Sequence, residues 1–199
     1  MFNEGAGLDG FFGRLEPVLR SIDLSWEIVC VNDGSTDDTL ERLLAHRERE
    51  PRIRVVDLSR NFGKDTALTA ALDFTRGRAL IPIDADLQDP PELIPRMVEQ
   101  WREGYEVVVA RRSSRDSDPL MKRALARGFY RLFNVISQTP MPRDAGDFRL
   151  MDRRVVEAVR RMPERNRFMK GLFAWVGFRT TEISFERERR AAGHTSWSF

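Results

Sequence analysis

Trp26-Glu27-Ile28-Val29-Cys30-Val31 runs directly into Asn32-Asp33-Gly34-Ser35, and this junction decides the fold. A short run rich in β-branched residues and closed by a turn signal reads as a buried strand. Ser35 with Asp38 then resembles a capping box for the helix that carries Leu40, Leu43 and Leu44. The alternation repeats downstream. A second strand, Ile53 to Leu58, passes through Ser59-Arg60-Asn61-Phe62-Gly63 into an alanine-rich helix near 64–76. A third, Ala79 to Ile83, ends in Asp84-Ala85-Asp86, and Asp89 reads as the N-cap of a helix opened by Pro90 and Pro91. Tyr105 to Ala110 makes a fourth strand. Strands alternating with helices of this length predict βαβ units and a doubly wound, mostly parallel α/β sheet.

Beyond Arg111 the rhythm loosens. An amphipathic helix near 119–137 gathers Leu125, Phe129, Leu132, Phe133 and Ile136 on one face, with Arg123, Arg127 and Arg131 beside it. A strand at Phe148 to Met151, helices near 152–161 and 166–175, and a strand at 178–185 complete the pattern. Phe168, Met169, Phe173 and Trp175 read as core, Cys30 as a small buried apolar group, and His46 as a solvated residue on a charged helix face. No linker divides the chain, so residues 1–199 are read as one domain. The loop-like start at Met1-Phe2-Asn3-Glu4 and the aromatic end at Trp197 and Phe199 lead us to expect a piece of a longer protein whose sheet lacks its opening strand.

Composition narrows the class. The 199 residues are 41% apolar, 10% aromatic and 32% charged, a water-soluble globular mixture. No run reaches the roughly 18 apolar residues of a membrane span, and no signal peptide is visible. One cysteine and two distant histidines, His46 and His194, exclude a disulfide framework and a histidine–cysteine metal cluster. The net charge of +2 hides a segregation: residues 1–110 carry a balance of −8, and residues 111–199 one of +10. An acidic half suits a cation, and a basic half suits phosphates or an anionic surface. The basic half shows no recognisable RNA-binding motif, so nucleic acid is not an expected partner.

Open α/β sheets bind ligands beyond the carboxyl ends of their strands. Asp33, Asp84 and Asp86 stand at that edge. Two carboxylates spaced i and i+2 on a turning loop can share one hard cation, Mg²⁺ or Mn²⁺, which keeps waters and bridges to substrate phosphates. Gln88 is read either as the source of a further oxygen or as a plain turn residue. Asp33 is read either as a contact to a base or ribose or as a turn residue. Asp37 and Asp38 read as helix N-terminal charges. Ser59 to Lys64 is a glycine-containing loop before a helix, but it lacks P-loop spacing, which excludes a Walker ATPase.

The four ordered segments Asn32-Asp33-Gly34-Ser35-Thr36-Asp37-Asp38-Thr39, Leu58-Ser59-Arg60-Asn61-Phe62-Gly63-Lys64, Asp84-Ala85-Asp86-Leu87-Gln88-Asp89-Pro90-Pro91-Glu92 and Asp144-Ala145-Gly146-Asp147-Phe148-Arg149-Leu150 resemble family 2 glycosyltransferases of the polyprenyl-phosphate type. That group includes dolichyl-phosphate mannose synthases and bactoprenol glucosyltransferases. The resemblance implies a GT-A fold, a nucleotide-sugar donor (UDP-glucose or GDP-mannose), a divalent metal and a polyprenyl phosphate acceptor. It also implies a site at the cytoplasmic face of the membrane. Phe2, Glu4, Val31 and Asp33 would meet the nucleoside; Asp84, Ala85 and Asp86 the ribose, metal and diphosphate; and Gln88 the metal. Arg112 and Arg190 would contact phosphate, and Asp147 matches the position of a catalytic base. The tail departs from the family pattern: Gly193-His194-Thr195-Ser196-Trp197 lacks the lysine usual there.

These expectations describe an inverting hexosyltransferase. Asp147 either removes an acceptor proton or pairs with Arg149 or Arg143. A nucleotidyltransferase, and an inactive fragment that binds anions or membrane, are the competing readings. A homo-oligomer is a further expectation.

Overall fold

The computed structural model describes residues 1–112, 145–162 and 169–185. The elements follow in the order α1 (Leu8–Ser21), β1 (Ile28–Asn32), α2 (Thr39–Arg49), β2 (Ile53–Asp57), α3 (Lys64–Phe74), β3 (Ala79–Leu80), α4 (Ile94–Arg102), β4 (Val107–Arg112), β5 (Ala145–Asp152), α5 (Arg153–Arg160), α6 (Met169–Trp175) and β6 (Thr180–Phe185). The helix expected near 119–137, Phe168 and the tail with Arg190 lie outside the described residues. Among the described residues no helix is long and apolar enough to cross a membrane.

The strands form a mixed arrangement. β1 and β2 pair in parallel, Ile28 opposite Ile53 through Asn32 opposite Asp57. A second sheet runs β3-β5-β4-β6, with β5 antiparallel to both β3 and β4 and β6 parallel to β4. Helices cover both faces, and strand periodicity sorts the side chains between them. Val108 and Ala110 of β4 and Phe148 and Leu150 of β5 join Leu8, Phe11, Phe12, Leu43 and Met97. Val107, Val109 and Met151 point the other way, onto Val155, Val156, Val159, Met169 and Phe173. Each large side chain buried this way stabilises the fold by roughly 1.5–3 kcal/mol. Asp152 caps α5 by accepting from the Arg154 N–H at 3.0 Å and also accepts from the Trp101 indole at 2.8 Å, which ties α4 to the end of β5.

Several local expectations give way to tertiary contacts. α2 starts at Thr39 with no side-chain cap, because the Ser35 hydroxyl accepts from the Asn3 N–H at 3.0 Å. Asp89 is not the N-cap residue: a 3-10 turn, Pro91–Leu93, with Pro90 at its N-cap, leads into α4 instead. β3 keeps its ladder for two residues where five were expected. His46 is not solvated: its ring lies 4.1 Å from that of Phe12, and Nε2 meets Asp9 at 2.9 Å. Met169 and Phe173 are buried as expected, whereas Trp175 is 66% exposed. Cys30 is buried, and desolvation pushes its thiol pKa up to about 12.

β1 and β3 belong to separate ladders. Between them lies a cavity of about 2010 Å³, lined along one side by Ile28 to Val31 and along the other by Ala79 to Ile83. Met1 occupies one end of it. The Met1 ammonium donates to the Val31 carbonyl at 2.8 Å, and the Met1 carbonyl accepts from the Asp33 N–H at 2.8 Å. That pair of bonds is one rung of a parallel ladder opposite Asn32. Burial pushes the Met1 amino pKa below its ordinary value, against the opposing charges of Asp33 and Asp84.

Candidate functional site

The cavity opens at the carboxyl ends of β1 and β3, and its lining there includes Phe2, Glu4, Val31, Asp33, Asp84, Ala85, Asp86 and Asp147. Residues far apart in sequence thus share one mouth. The N-terminal side is stitched together by short polar contacts. Asn3 Oδ1 accepts from the Thr36 N–H at 2.9 Å, the Glu4 N–H donates to Thr39 Oγ1 at 2.9 Å, and the Gly5 N–H donates to Asp37 Oδ2 at 3.2 Å. Asp37 is therefore structural. Burial opposes its ionisation, but the hydroxyl and N–H of Thr39 together with the Gly5 N–H outweigh burial and lower its pKa. Phe2 is 40% exposed at the rim, and Val31 and Ala85 are buried behind it.

Asp33 is buried, and backbone donors hold both of its carboxylate oxygens. Oδ1 accepts from the Phe62 N–H at 2.8 Å and Oδ2 from the Gly63 N–H at 3.0 Å. The loop that superficially looked phosphate-like thus directs two of its N–H groups to a carboxylate of its own chain. Gly34, at φ +64°, lies against that loop so closely that a Cβ would stand 2.3 Å from the Arg60 carbonyl carbon and 2.5 Å from the Asn61 nitrogen. The clamp fixes where α3 begins, and its first residue is Lys64.

Lys64 Nζ lies 2.7 Å from Asp84 Oδ2 and 2.9 Å from Asp147 Oδ2. β3 and β5 explain why the two acids meet. Ala79 stands opposite Asp152 and Leu80 opposite Met151, and beyond that short ladder the chain leaving β3 carries Asp84, while β5 carries Asp147, to the same ammonium. Like charges brought together repel, and the ammonium between them offsets that repulsion. Burial lowers the Lys64 pKa, but Asp84 and Asp147 outweigh it, so the group titrates well above its ordinary range. Lys64 is thus an ion-pair partner of Asp147 that the sequence did not suggest, and Arg143 lies outside the described residues. Arg149, two residues along β5, is buried with its guanidinium 4.8 Å above the Phe173 ring, and desolvation depresses its pKa to about 10 against the pull of Asp147.

Asp86 is buried and accepts from the Gln88 N–H at 3.1 Å. Leu87 between them takes a left-handed conformation, φ +58°, which turns the chain back beneath Asp86. Gln88 meets Asp86 through its backbone N–H and is not part of the cavity lining. Among the described residues no three acidic, histidine or cysteine side chains form a closed metal cage. The donor set instead suits a hard cation held by one or two carboxylates and completed by phosphate oxygens, and Asp84 and Asp147 already gather around a positive charge. Arg112 ends β4 opposite Phe185 of β6, and Arg190 lies outside the described residues. Sequence reasoning missed Lys64. Its signal was present: a lysine closing a glycine loop in a chain of arginines.

Residues 2–160 match the family model described as Glycosyl transferase family 2. A glycosyltransferase of Synechocystis sp., named as uncharacterized, is 50% identical over 199 residues, all of this chain and 63% of its own length. The bactoprenol glucosyl transferase of Shigella phage SfX is 44% identical over 193 residues, 97% of this chain and 63% of its own. The chain thus spans less than two thirds of the length of these curated relatives. Among solved structures, a mannosyltransferase from Pyrobaculum calidifontis in complex with GDP-Man and Mn²⁺ superposes with a TM-score of 0.64 at 18% identity, over 92% of this chain and 52% of that one. Glucosyl-3-phosphoglycerate synthase from Mycobacterium tuberculosis with Mn²⁺, UDP-glucose and phosphoglyceric acid gives 0.58 at 21% identity, over 97% and 70%. The architecture is the GT-A fold of these enzymes.

Proposed function

The chain belongs to glycosyl transferase family 2, and from that premise we propose that it forms the donor-binding and catalytic domain of an inverting hexosyltransferase. The donor is a nucleotide diphosphate sugar, UDP-glucose or GDP-mannose, and the acceptor is polyprenyl phosphate at the cytoplasmic membrane face. One observation carries the reading. The acidic pair Asp84 and Asp147, bridged by Lys64, stands at the mouth of a cavity whose lining includes Phe2, Glu4, Val31 and Asp33. The bactoprenol glucosyl transferases, similar along almost the whole chain, support the acceptor class.

Phe2, Glu4, Val31 and Asp33 form the nucleoside side of the mouth. Asp84 and Asp86, with Gln88 beside them, are the residues that would hold Mg²⁺ or Mn²⁺. Such a cation neutralises charge developing on a departing diphosphate. Arg112 and Arg190 add charge-assisted contacts to phosphate oxygens. Asp147 faces the acceptor side. A phosphate monoester has a second pKa near 6, so most acceptor molecules are deprotonated at neutral pH. Asp147 then orients the attacking oxygen, and it takes the proton from the protonated fraction.

The test presents the full-length enzyme with a panel of nucleotide sugars, polyprenyl phosphate and Mn²⁺. Release of nucleoside diphosphate together with a hexosylated lipid phosphate is expected. Release of pyrophosphate assigns nucleotidyl transfer instead. Metal-dependent nucleotide binding that is absent by calorimetry would leave a binding module.

A further inference from the structure

We infer that Lys64 is a positioning residue that bridges the donor and acceptor sides of the site and surrenders Asp84 to an incoming cation–diphosphate while keeping hold of Asp147. The inference rests on the reading of the site given above. The chain has three lysines, Lys64, Lys122 and Lys170, against 30 arginines. Elsewhere guanidinium forks serve its ion pairs, as where Arg14 donates twice to Glu92 and Arg52 twice to Glu50. Between Asp84 and Asp147 the structure places a compact ammonium, which reaches one carboxylate on the segment after β3 and one on β5. Arginines of this chain also bridge two carboxylates, as Arg42 does with Asp38 and Asp9, but their donors are fixed in one plane, whereas a point charge on a flexible stem can release one partner and keep the other.

The anchoring is asymmetric in the required sense. The Lys64 backbone is fixed by the Asp33 clamp on Phe62 and Gly63. The Asp84 side chain is 49% exposed at the mouth, whereas that of Asp147 is 16% exposed. An arriving cation thus reaches Asp84 first, and the contact to the more buried Asp147 is the one retained.

A carbodiimide tests the bridge directly. It condenses an amine with a touching carboxylate to an amide, and the reagent carries off the water as its urea. With few lysines in the chain, mass spectrometry resolves the products. Amides from Lys64 to both Asp84 and Asp147 are expected in the metal-free protein. With Mn²⁺ and UDP or GDP the Asp84 product falls and the Asp147 product persists. Removing the resident competitor in Lys64→Met tightens Mn²⁺ binding without nucleotide by about two- to fivefold, the worth of a half-exposed ion pair. In the full-length enzyme, kcat falls by roughly 10–100-fold, as for groups that orient a metal site, with donor KM nearly unchanged, and Lys64→Arg does not restore it. Absence of the Asp147 amide, an Asp84 amide indifferent to Mn²⁺ and nucleotide, or unchanged Mn²⁺ affinity in Lys64→Met overturns the inference. Sugar transfer absent from every donor while the amides behave as stated overturns the proposed function and leaves the bridge standing.

Discussion

Asp33 and Asp84 both follow strands that line the same cavity, yet they are held in opposite ways. Asp33 is 4% exposed, and backbone N–H groups of Phe62 and Gly63 occupy its two oxygens. Asp84 has a half-exposed side chain and meets an ammonium on a four-carbon stem. Backbone donors have no rotamer into which to retreat, so the first carboxylate shapes a loop. A side-chain cation can withdraw, so the second carboxylate can exchange partners. The contrast separates architecture from chemistry at one edge of one fold.

The strongest challenge to that contrast is Asp33→Ala beside Asp84→Ala. The first strands two buried N–H groups and loses two charge-assisted bonds, costing about 3–5 kcal/mol; the second costs less than about 0.5 kcal/mol, as for an exposed residue. Urea unfolding measures both, and equal losses would erase the distinction. Gly34→Ala drives a Cβ into the Arg60–Asn61 backbone at positive φ, with an expected cost of about 2–4 kcal/mol by the same method. On the chemical side, Asp84→Asn should weaken Mn²⁺-dependent binding of UDP or GDP by roughly 10–100-fold in calorimetry, with its unfolding midpoint unmoved. A weakening of that size from a variant remote from the mouth would blur the comparison.

Glu50 sharpens it from a distance. Hydrogen bonds from the Arg52 guanidinium, acting against burial, hold its carboxyl at about 2 instead of the ordinary 4.5. A depressed folded-state pKa contributes stability that is complete above about pH 4.5 and is lost as pH falls toward 2. Glu50→Gln should therefore flatten the stability–pH curve between those values and lower the plateau above them, so that the two proteins converge as pH falls toward 2, which urea titrations across pH would record.

The alternation of apolar runs and helical spacing made every described strand and α-helix after residue 26 legible near its true position. Pairing direction was not legible, because a run such as Phe148 to Met151 carries the same signal whether its neighbours run with it or against it. The caps at Ser35 and Asp89 failed for a different reason: local capping chemistry competes with tertiary partners, and the Ser35 hydroxyl was taken by Asn3. His46 was misjudged because its helix is charged on most sides, while Phe12, which covers it, comes from another helix. At the site, Asp33, Asp84 and Asp147 could be picked out individually. That two of them share Lys64 is a tertiary contact between three distant segments, which no motif encodes.

The shared lysine also fixes chain length. Asp84 lies four residues beyond Leu80, the last rung of β3, and meets Lys64 Nζ at 2.7 Å. Deleting one residue among Ile81 to Ile83 would draw Asp84 back by up to about 3.5 Å, enough to break that contact. Substitution at those positions leaves the reach unchanged. Homologous chains should therefore tolerate exchanges in this stretch far more readily than insertions or deletions.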